Sequence, residues 1–241
     1  MNTADGELAA AQYDAMGAVY RAHNDDPTSW NTAYERPAMI SLLGEVAGRR
    51  VLEVGCGPGA LTEWLVNHDA LVTAMDVSSE MVRLAAERVG DRAQVVRADL
   101  GRPLSFVGDH SVDLVVASLV LHYLRDWVPV LGEFRRVLRP EGAVAFSTHH
   151  PSMDWQLYSP QDYFAIKRVN DVWTEGDRSF QVSAWRRPLT AMTEDINSAG
   201  FLIDRLIEPR PQPELARIDP AADRKLRTQP AFLFFRLRLA R

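Results

Sequence analysis

Short apolar runs alternate with amphipathic segments through the middle of the chain, between about residues 50 and 150. The apolar runs are rich in Val, Leu and Ala, which is typical of buried parallel strands. They lie at 50–54, 71–76, 93–98, 112–118 and 143–148. The amphipathic segments between them have helical spacing and lie at 60–67, 79–89 and 127–138. Strands that alternate with helices predict a parallel sheet with right-handed crossovers, and so a doubly wound α/β fold.

The segments on either side of this alternation have different patterns. Two helices are predicted near the N-terminus, at 7–23 and 36–46. The segment 151–188 carries seven aromatic residues and a TEGD turn signal between two β-rich runs. This combination favours an inserted β-hairpin.

The C-terminal part of the chain is predicted to add one helix and two strands to the sheet. The helix, at 190–199, ends at Gly200, because glycine readily adopts the left-handed conformation that follows many helices. The strands lie at 201–207 and 232–239. With 241 residues the chain has the length of one large α/β domain, so a single domain is expected. Its predicted sections are an N-terminal helical cap at 1–46, a core at 47–150, an insertion at 151–188 and a C-terminal helix with strands at 189–241.

Charge and cysteine content narrow the possible partners. A formal net charge of −5 argues against a broad nucleic-acid surface, which requires clustered Lys and Arg side chains. The single cysteine, Cys56, excludes an intramolecular disulfide and favours a reducing compartment, so a cytoplasmic location is expected. The first residues are acidic, unlike a secretory signal, and the longest apolar run, 114–121, is far shorter than the roughly 20 residues of a membrane span. No nucleic-acid or membrane partner is expected.

Three glycines, Gly55, Gly57 and Gly59, directly follow the first predicted strand in VLEVGCGPG. Glycines here let the backbone turn sharply and approach a ligand closely, next to the positive N-terminus of the following helix. Turns and close strand-to-helix packing also favour glycine. The loop alone therefore predicts a ligand-bearing turn without identifying the ligand.

Two carboxylates narrow the choice of ligand. Asp76 ends the second predicted strand about 20 residues after Gly55, the position at which a carboxylate accepts hydrogen bonds from ribose hydroxyls in such folds. Asp99 follows the third strand, where its carboxylate can accept a hydrogen bond from an adenine amino group. Ligands of open parallel sheets lie at the carboxyl ends of the strands, so the three features converge on one adenosine-containing ligand.

The segment 51–65, Asp76, the tripeptide 98–100 and the segment DLVVASLVLHYLRD at 113–126 together resemble the class I S-adenosylmethionine-dependent methyltransferases over roughly residues 35–150. In that family the E-x-G-C-G-x-G loop cradles the methionine part of the cofactor, and the two acidic positions meet ribose and adenine. The matching residues are Glu53, Gly55, Cys56, Gly57, Gly59, Asp76 and Asp99. The resemblance implies a Rossmann-like sheet of seven strands with an antiparallel last strand. It is strongest to the small-molecule branch, which has an N-terminal helical lid.

S-adenosylmethionine is therefore the expected cofactor, and S-adenosylhomocysteine the expected product. Arg36, from the cap, is expected to pair with the cofactor carboxylate. The other expected cofactor contacts lie in the cap and beside the strand ends, at Tyr34, Val77, Met81, Ala98, Leu100 and Ser118.

The methyl group of a sulfonium is already electrophilic, so the protein mainly has to position a nucleophile in line with it and exclude water. A base helps when the nucleophile must lose a proton, and His122 and His149 are the expected bases because both follow strands at the ligand side. A histidine hydrogen-bonded within its loop is the alternative for His122. The expected substrate contacts are Tyr13, Tyr20, His122, His150, Trp155 and Trp173. One histidine of the adjacent pair must point away, and the insertion's aromatics can equally form the buried face of a hairpin. No metal is expected.

The expected function is transfer of a methyl group to oxygen or nitrogen, less readily carbon, of a small-molecule acceptor by a monomer or homodimer. A nicotinamide-dependent oxidoreductase is one alternative, because it shares the glycine loop and the ribose carboxylate. It is disfavoured because the third glycine follows the second by two residues rather than three, and because no Tyr-x-x-x-Lys pair is recognisable. A cofactor-binding protein without turnover is the other alternative.

Overall fold

A computed structural model describes residues 3–158 and 161–240. The predicted section boundaries at residues 1 and 241, and residues 159–160 of the insertion, lie outside the described residues. The described part of the chain contains nine strands. They are β1 (Arg50–Val54), β2 (Leu71–Asp76), β3 (Gln94–Arg97), β4 (Val112–Ala117), β5 (Leu138–His149), β6 (Lys167–Glu175), β7 (Arg178–Arg186), β8 (Phe201–Ile207) and β9 (Phe232–Leu239).

Seven of these strands form one twisted sheet in the order β3-β2-β1-β4-β5-β9-β8. Strands β1 to β5 pair in parallel, and β9 is antiparallel to both of its neighbours, β5 and β8. The prediction of a seven-stranded, doubly wound sheet with an antiparallel last strand is confirmed. The order reverses between β1 and β4, so the carboxyl ends of these strands border the crevice where ligands bind in such folds.

Helices cover the sheet because their apolar residues recur every three or four positions. They are α1 (Thr3–Asp25), α2 (Arg36–Leu43), α3 (Ala60–Asn67), α4 (Ser79–Val89), α5 (Trp127–Val137), α6 (Pro151–Tyr158), α7 (Leu189–Ser198), α8 (Leu215–Ile218) and α9 (Pro220–Thr228). In α4, for example, Met81, Leu84, Ala85 and Val89 are all buried. Ser78 caps α4 by accepting a hydrogen bond from the Met81 amide at 3.1 Å, as its position before the apolar run suggests.

The N-terminal cap consists of α1, a π-helical turn at Asn31–Glu35 and α2. Helix α1 is kinked at Gly17, whose φ is 40°, and this bend lets the helix pack on both α4 and β7. The Asp14 carboxylate accepts hydrogen bonds from the Ser78 hydroxyl at 2.5 Å and from the Glu80 amide at 3.0 Å. These contacts attach the predicted helical lid to the first turn of α4.

The insertion contains the predicted hairpin, formed by β6 and β7 around a two-residue turn at Gly176. It also contains α6, which the sequence pattern did not predict. The His150 imidazole accepts a hydrogen bond from the Ser152 amide at 3.1 Å and so caps this helix. Histidine is not among the usual capping residues, so the available signal for the start of α6 is Pro151 at the first helical position.

The C-terminal section differs from its prediction in two elements. Helix α7 ends before Gly200, whose φ of 83° confirms the left-handed position expected there. Two short helices, α8 and α9, lie between β8 and β9 and were not predicted. None of the helices within residues 3–158 and 161–240 is long and apolar enough to cross a bilayer.

Candidate functional site

The glycine loop after β1 is tied to the end of β2. Gly55 and Gly57 have positive φ values of 69° and 54°, which residues other than glycine rarely adopt. The Gly57 amide donates a hydrogen bond to the Asp76 carboxylate at 2.9 Å, and the Ser78 amide donates to its other oxygen at 2.9 Å. A Cβ atom at Gly55 would lie 2.7 Å from the Cβ atom of Val120, beyond the end of β4. The loop therefore requires glycine both for its conformation and for its closeness to the β4 end.

The loop, the strand ends and the cap enclose a cavity that we call the loop cavity. Eleven of the residues expected at a cofactor site line it: Arg36, Glu53, Gly55, Cys56, Gly57, Asp76, Val77, Ala98, Asp99, Leu100 and Ser118. Helix α1 covers the cavity so closely that a Cβ atom at Gly6 would lie 2.5 Å from the Asp99 carboxylate. The topology thus brings the glycine loop and both strand-end carboxylates to one enclosed space.

Three residues expected at the cofactor lie elsewhere. Tyr34 is fully buried and stacks on Phe232, with ring centroids 5.6 Å apart. Met81 is fully buried within α4. Gly59 faces α4, where a Cβ atom would lie 2.9 Å from the Cα atom of Ala85, so this glycine permits close packing of two helices. Within the described part of the chain, these three are not among the residues lining the loop cavity.

Burial changes the acidity of the groups in the loop cavity. It raises the pKa of Asp76 to about 6, against the opposing effect of the hydrogen bonds from backbone amides. It raises the pKa of Glu53 to about 8, so this carboxyl is mostly protonated at pH 7. The Oε2 atom of Glu53 is buried without a hydrogen-bond partner among the described residues. Burial also raises the pKa of the Cys56 thiol well above its usual value, which makes it a poor nucleophile.

Arg36 is held from the cap at one side of the same cavity. Its guanidinium donates hydrogen bonds to the Asn24 side-chain oxygen at 2.6 Å and to the Asn24 carbonyl at 2.8 Å. Burial lowers the pKa of this guanidinium. The contact to Asn24 orients Arg36 at the cavity wall.

Glu35 is a buried residue of the loop cavity that the sequence pattern did not identify. Its carboxylate accepts hydrogen bonds from the Ser118 hydroxyl at 2.8 Å and from the Ser147 hydroxyl at 2.7 Å. Ser147 in turn accepts a hydrogen bond from the Leu119 amide at 2.9 Å, and Leu119 has a φ of 49°. The network joins the cap to the ends of β4 and β5 and holds a strained residue between them. Its only sequence signal is the isolated acidic residue before an apolar helix.

A second cavity lies between the cap, the ends of β4 and β5, and the hairpin, and we call it the histidine cavity. His122 and His149 lie in its wall and stack with ring centroids 4.0 Å apart. Its volume of about 600 Å³ is in the range of small-molecule sites. Tyr13, Tyr20 and Trp173, three of the residues expected at the substrate, also line it.

Both stacked histidines are neutral at pH 7. Burial lowers the pKa of His149 to about 4. Burial, with the neighbouring His149 ring as a second cause, lowers the pKa of His122 well below its usual value. The Nδ1 atom of His122 is buried and has no hydrogen-bond partner among the described residues. A neutral imidazole with an unpaired nitrogen is able to accept a proton.

Two residues expected at the substrate point away from both cavities. His150 bonds to the Glu208 carboxylate at 2.8 Å and caps α6, so it is the histidine of the adjacent pair that faces outward. Trp155 is exposed and packs edge-to-face on Tyr163, with ring centroids 5.8 Å apart. Tyr123 was not predicted, although its hydroxyl lies 2.7 Å from that of Tyr13 and its ring lines both cavities. Its adjacency to His122 in the sequence is the signal that could have identified it.

The sheet order and the loop cavity at the strand ends define a Rossmann-like α/β domain. Residues 52–146 match the family model described as a methyltransferase domain. The chain is 29% identical over 197 residues to a malonyl-[acyl-carrier protein] O-methyltransferase of Pseudescherichia vulneris, covering 79% of this chain and 72% of the relative.

Solved structures have the same architecture. An S-adenosylmethionine-dependent methyltransferase from Mesorhizobium loti superposes with a TM-score of 0.68 at 25% identity, covering 84% of this chain and 96% of that one. The 1,6-didemethyltoxoflavin-N1-methyltransferase of Burkholderia thailandensis, solved with S-adenosylhomocysteine, superposes with a TM-score of 0.62 at 18% identity, covering 98% of this chain and 88% of that one. The second likeness shows the fold alone.

The protein is an S-adenosylmethionine-dependent methyltransferase, and S-adenosylmethionine is its cofactor. The loop cavity fits this cofactor because the glycine loop and both strand-end carboxylates line it, and because Glu53 presents a buried oxygen without a hydrogen-bond partner among the described residues. The expectations for fold, enzyme class and cofactor are confirmed.

Proposed function

We propose that this methyltransferase transfers a methyl group to oxygen or nitrogen of a small organic acceptor bound in the histidine cavity. The observation that carries the proposal is that the two cavities adjoin. They share five lining residues: Tyr13, Tyr20, Asn31, Leu119 and Tyr123. A cofactor in the loop cavity and an acceptor in the histidine cavity would therefore lie next to each other, as direct transfer between two bound molecules requires.

In this proposal the residues of the loop cavity hold the cofactor. The Asp76 carboxylate accepts hydrogen bonds from the ribose hydroxyls, and Asp99 lies at the adenine. The glycine loop and Glu53 face the methionine part, and Arg36 pairs with its carboxylate. The remaining lining residues of the predicted set supply apolar and backbone contacts: Cys56, Val77, Ala98, Leu100 and Ser118. When bound, S-adenosylmethionine supplies an electrophilic methyl group on a sulfonium centre.

His122 is the proposed proton acceptor of the histidine cavity, and His149 supports its ring by stacking. An acceptor hydroxyl or ammonium must lose a proton as its lone pair forms the new bond to carbon, and a neutral imidazole can take that proton. Tyr13, Tyr20 and Trp173 form aromatic walls that orient a small acceptor and exclude water.

The choice between oxygen and nitrogen rests on the relatives. The similar protein of Pseudescherichia vulneris is named an O-methyltransferase, and this name favours a heteroatom over carbon. The histidine pair suits either atom, since both nucleophiles release a proton.

The proposal is tested by calorimetry and product analysis on the intact protein. We expect S-adenosylhomocysteine to bind with one-to-one stoichiometry, and a panel of small hydroxyl and amine compounds to give methylated products by mass spectrometry. Saturable binding of NADH instead would favour the nicotinamide alternative. Bound S-adenosylhomocysteine without product from any acceptor would favour a binding protein without turnover.

Asp76→Ala is expected to weaken S-adenosylhomocysteine binding by about 10- to 150-fold, because hydrogen bonds to a charged acceptor contribute roughly 1.5 to 3 kcal/mol. Calorimetric titration measures the loss. Asp109→Ala is a matched control, since this carboxylate pairs with Arg136 away from both cavities. Unchanged affinity in Asp76→Ala would contradict the ribose assignment.

A further inference from the structure

Among the described residues that line the histidine cavity, the side chains with a fixed charge are all acidic; His23 also lines the cavity and pairs with Glu175. Asp26, Asp171 and Glu175 are acidic, and within residues 3–158 and 161–240 no Lys or Arg is among the lining residues. The stacked histidines add no positive charge at pH 7, since burial lowers the pKa values of both rings. An acceptor in this cavity therefore meets negative potential without a fixed cation to offset it.

The three carboxylates differ in how far their charge is already balanced. Glu175 forms an ion pair with the His23 imidazole at 2.8 Å. Asp26 accepts hydrogen bonds from the Thr28 amide and hydroxyl, both at 2.7 Å, which close a local turn. Asp171 accepts hydrogen bonds from the Tyr158 hydroxyl at 3.1 Å and from the Val172 amide at 2.8 Å, both of which are neutral donors.

Asp171 lies on β6, in the hairpin wall of the cavity, and the histidines lie at the ends of β4 and β5. The carboxylate raises the pKa of the His149 ring, against the larger effect of burial, so its charge acts across the cavity. His122, whose buried Nδ1 atom has no hydrogen-bond partner among the described residues, lines the cavity from the end of β4. A bound molecule would thus lie between the Asp171 carboxylate of the hairpin and the neutral histidine pair at the strand ends.

The remaining walls are aromatic. Seven rings line the cavity, those of Tyr13, Tyr20, Trp30, Tyr123, Tyr158, Trp173 and Phe232. Aromatic faces attract cations through their ring quadrupoles, most strongly where water is excluded. A group of aromatic rings next to a carboxylate favours an organic cation over a neutral group and disfavours an anion.

We infer that the acceptor of this enzyme carries a basic nitrogen on an apolar or aromatic body, and that Asp171 binds this nitrogen in its protonated form. The inference rests on the proposed function, because it assumes that the histidine cavity holds the acceptor. An acidic acceptor would instead face Asp171 with like charge. A malonyl carboxylate, the group in the name of the relative from Pseudescherichia vulneris, belongs to that disfavoured class.

The test compares ligands of one shape and three charges. The first set is tryptamine, indole-3-propionamide and indole-3-propionate, and the second is phenethylamine, 3-phenylpropionamide and 3-phenylpropionate. Each is titrated calorimetrically at pH 7 into the full-length protein saturated with S-adenosylhomocysteine. We expect each amine to bind at least about tenfold more tightly than its carboxylate, with the amide between them.

Variants of the hairpin identify the source of the preference. Asp171→Asn is expected to bring the affinities of amine and carboxylate to within about threefold of each other, and Asp171→Glu is expected to keep most of the preference. Asp177→Asn is the matched control. It removes the same charge from the exposed turn of the same hairpin and should leave the preference unchanged.

Three results would overturn the inference: equal or tighter binding of the carboxylates, an amine preference that survives in Asp171→Asn, or no saturable binding by either amine. Product analysis separates this outcome from failure of the proposed function. Methylated products formed from acidic acceptors alone would refute the charge inference and leave methyl transfer intact. A confirmed amine preference with no S-adenosylmethionine consumed by any acceptor would do the reverse.

Discussion

Gly55→Ala is expected to reduce cofactor affinity by about 30-fold or more and to destabilise the protein by about 2 to 5 kcal/mol. Two physical terms add at this position. An alanine at the observed φ of 69° adopts a left-handed conformation that costs about 1 to 2 kcal/mol. Its Cβ atom would also lie 2.7 Å from the Cβ atom of Val120, and overpacking of this kind costs about 1 to 3 kcal/mol. The loop can relieve the backbone strain and the clash with Val120 only by leaving the conformation that encloses the cofactor.

Gly48→Ala is a closely matched control for this prediction. Gly48 has the same φ of 69°, but a Cβ atom there would have no neighbour within 4 Å among the described residues. The difference between the two variants therefore isolates the contact with Val120. Thermal unfolding and titration with S-adenosylhomocysteine measure the two effects, and the double variant Gly55→Ala/Val120→Ala should recover part of the loss. Equal behaviour of Gly55→Ala and Gly48→Ala would contradict the role assigned to that contact.

The parallel core could be predicted because its signals are local and repeated. Each of its five strands is an apolar run followed by a helix or a turn signal, and the carboxyl ends of such strands meet at one edge. Asp76 and Asp99 could be placed at that edge from strand order alone, without knowledge of any side-chain contact. The identity of the cofactor needed more than geometry, since the glycine loop and a ribose carboxylate also suit nicotinamide. The family resemblance supplied that step.

The direction in which a side chain points could not be predicted from local sequence signals of this kind. Gly59 belongs to the glycine motif, but it faces Ala85 of α4 rather than the loop cavity. His149 and His150 are adjacent, and only the structure shows that His149 faces the cavity while His150 caps α6. Which side of a loop faces the ligand depends on tertiary packing, which residue spacing does not specify.

Helix α9 and Glu35 were not predicted, for different reasons. Helix α9 begins after Asp219, which accepts hydrogen bonds from the Ala221 and Ala222 amides, and Pro220 occupies its first position. This aspartate–proline pair is a recognised helix start and was the available signal. Glu35 had no comparable signal, because its partners Ser118 and Ser147 are more than 80 residues away along the chain. Long-range hydrogen bonds of this kind become visible only once the sheet is assembled.

The stacked histidines determine how the rate should depend on pH. A base acts only in its neutral form, and the pKa of His149 is lowered to about 4 by burial, with the pKa of His122 lowered as well. Both rings therefore stay neutral from pH 8 down to well below pH 6. The rate should not decrease as the pH is lowered through about 6.5, the ordinary pKa of histidine. Stability should behave differently. The unfolded chain takes up protons at these histidines below about pH 6.5 while the folded chain does not, so stability falls as the pH falls through that value.

His122→Asn is expected to lower kcat by about 10²- to 10⁴-fold, the usual contribution of a positioned general base. The affinity for S-adenosylhomocysteine should stay within about twofold of the wild-type value, because His122 lines the histidine cavity and not the loop cavity. Single-turnover rates, measured from pH 5.5 to 9 with an acceptor identified by product analysis, test the expected loss of rate. Calorimetric titration with S-adenosylhomocysteine tests the expected affinity. His68→Asn, the same substitution at an exposed histidine that bonds to the Trp64 carbonyl, should retain the wild-type rate. A His122→Asn enzyme with the full rate across this range would show that the acceptor loses its proton to another group, and Tyr123, which lines both cavities, would then be the next residue to test.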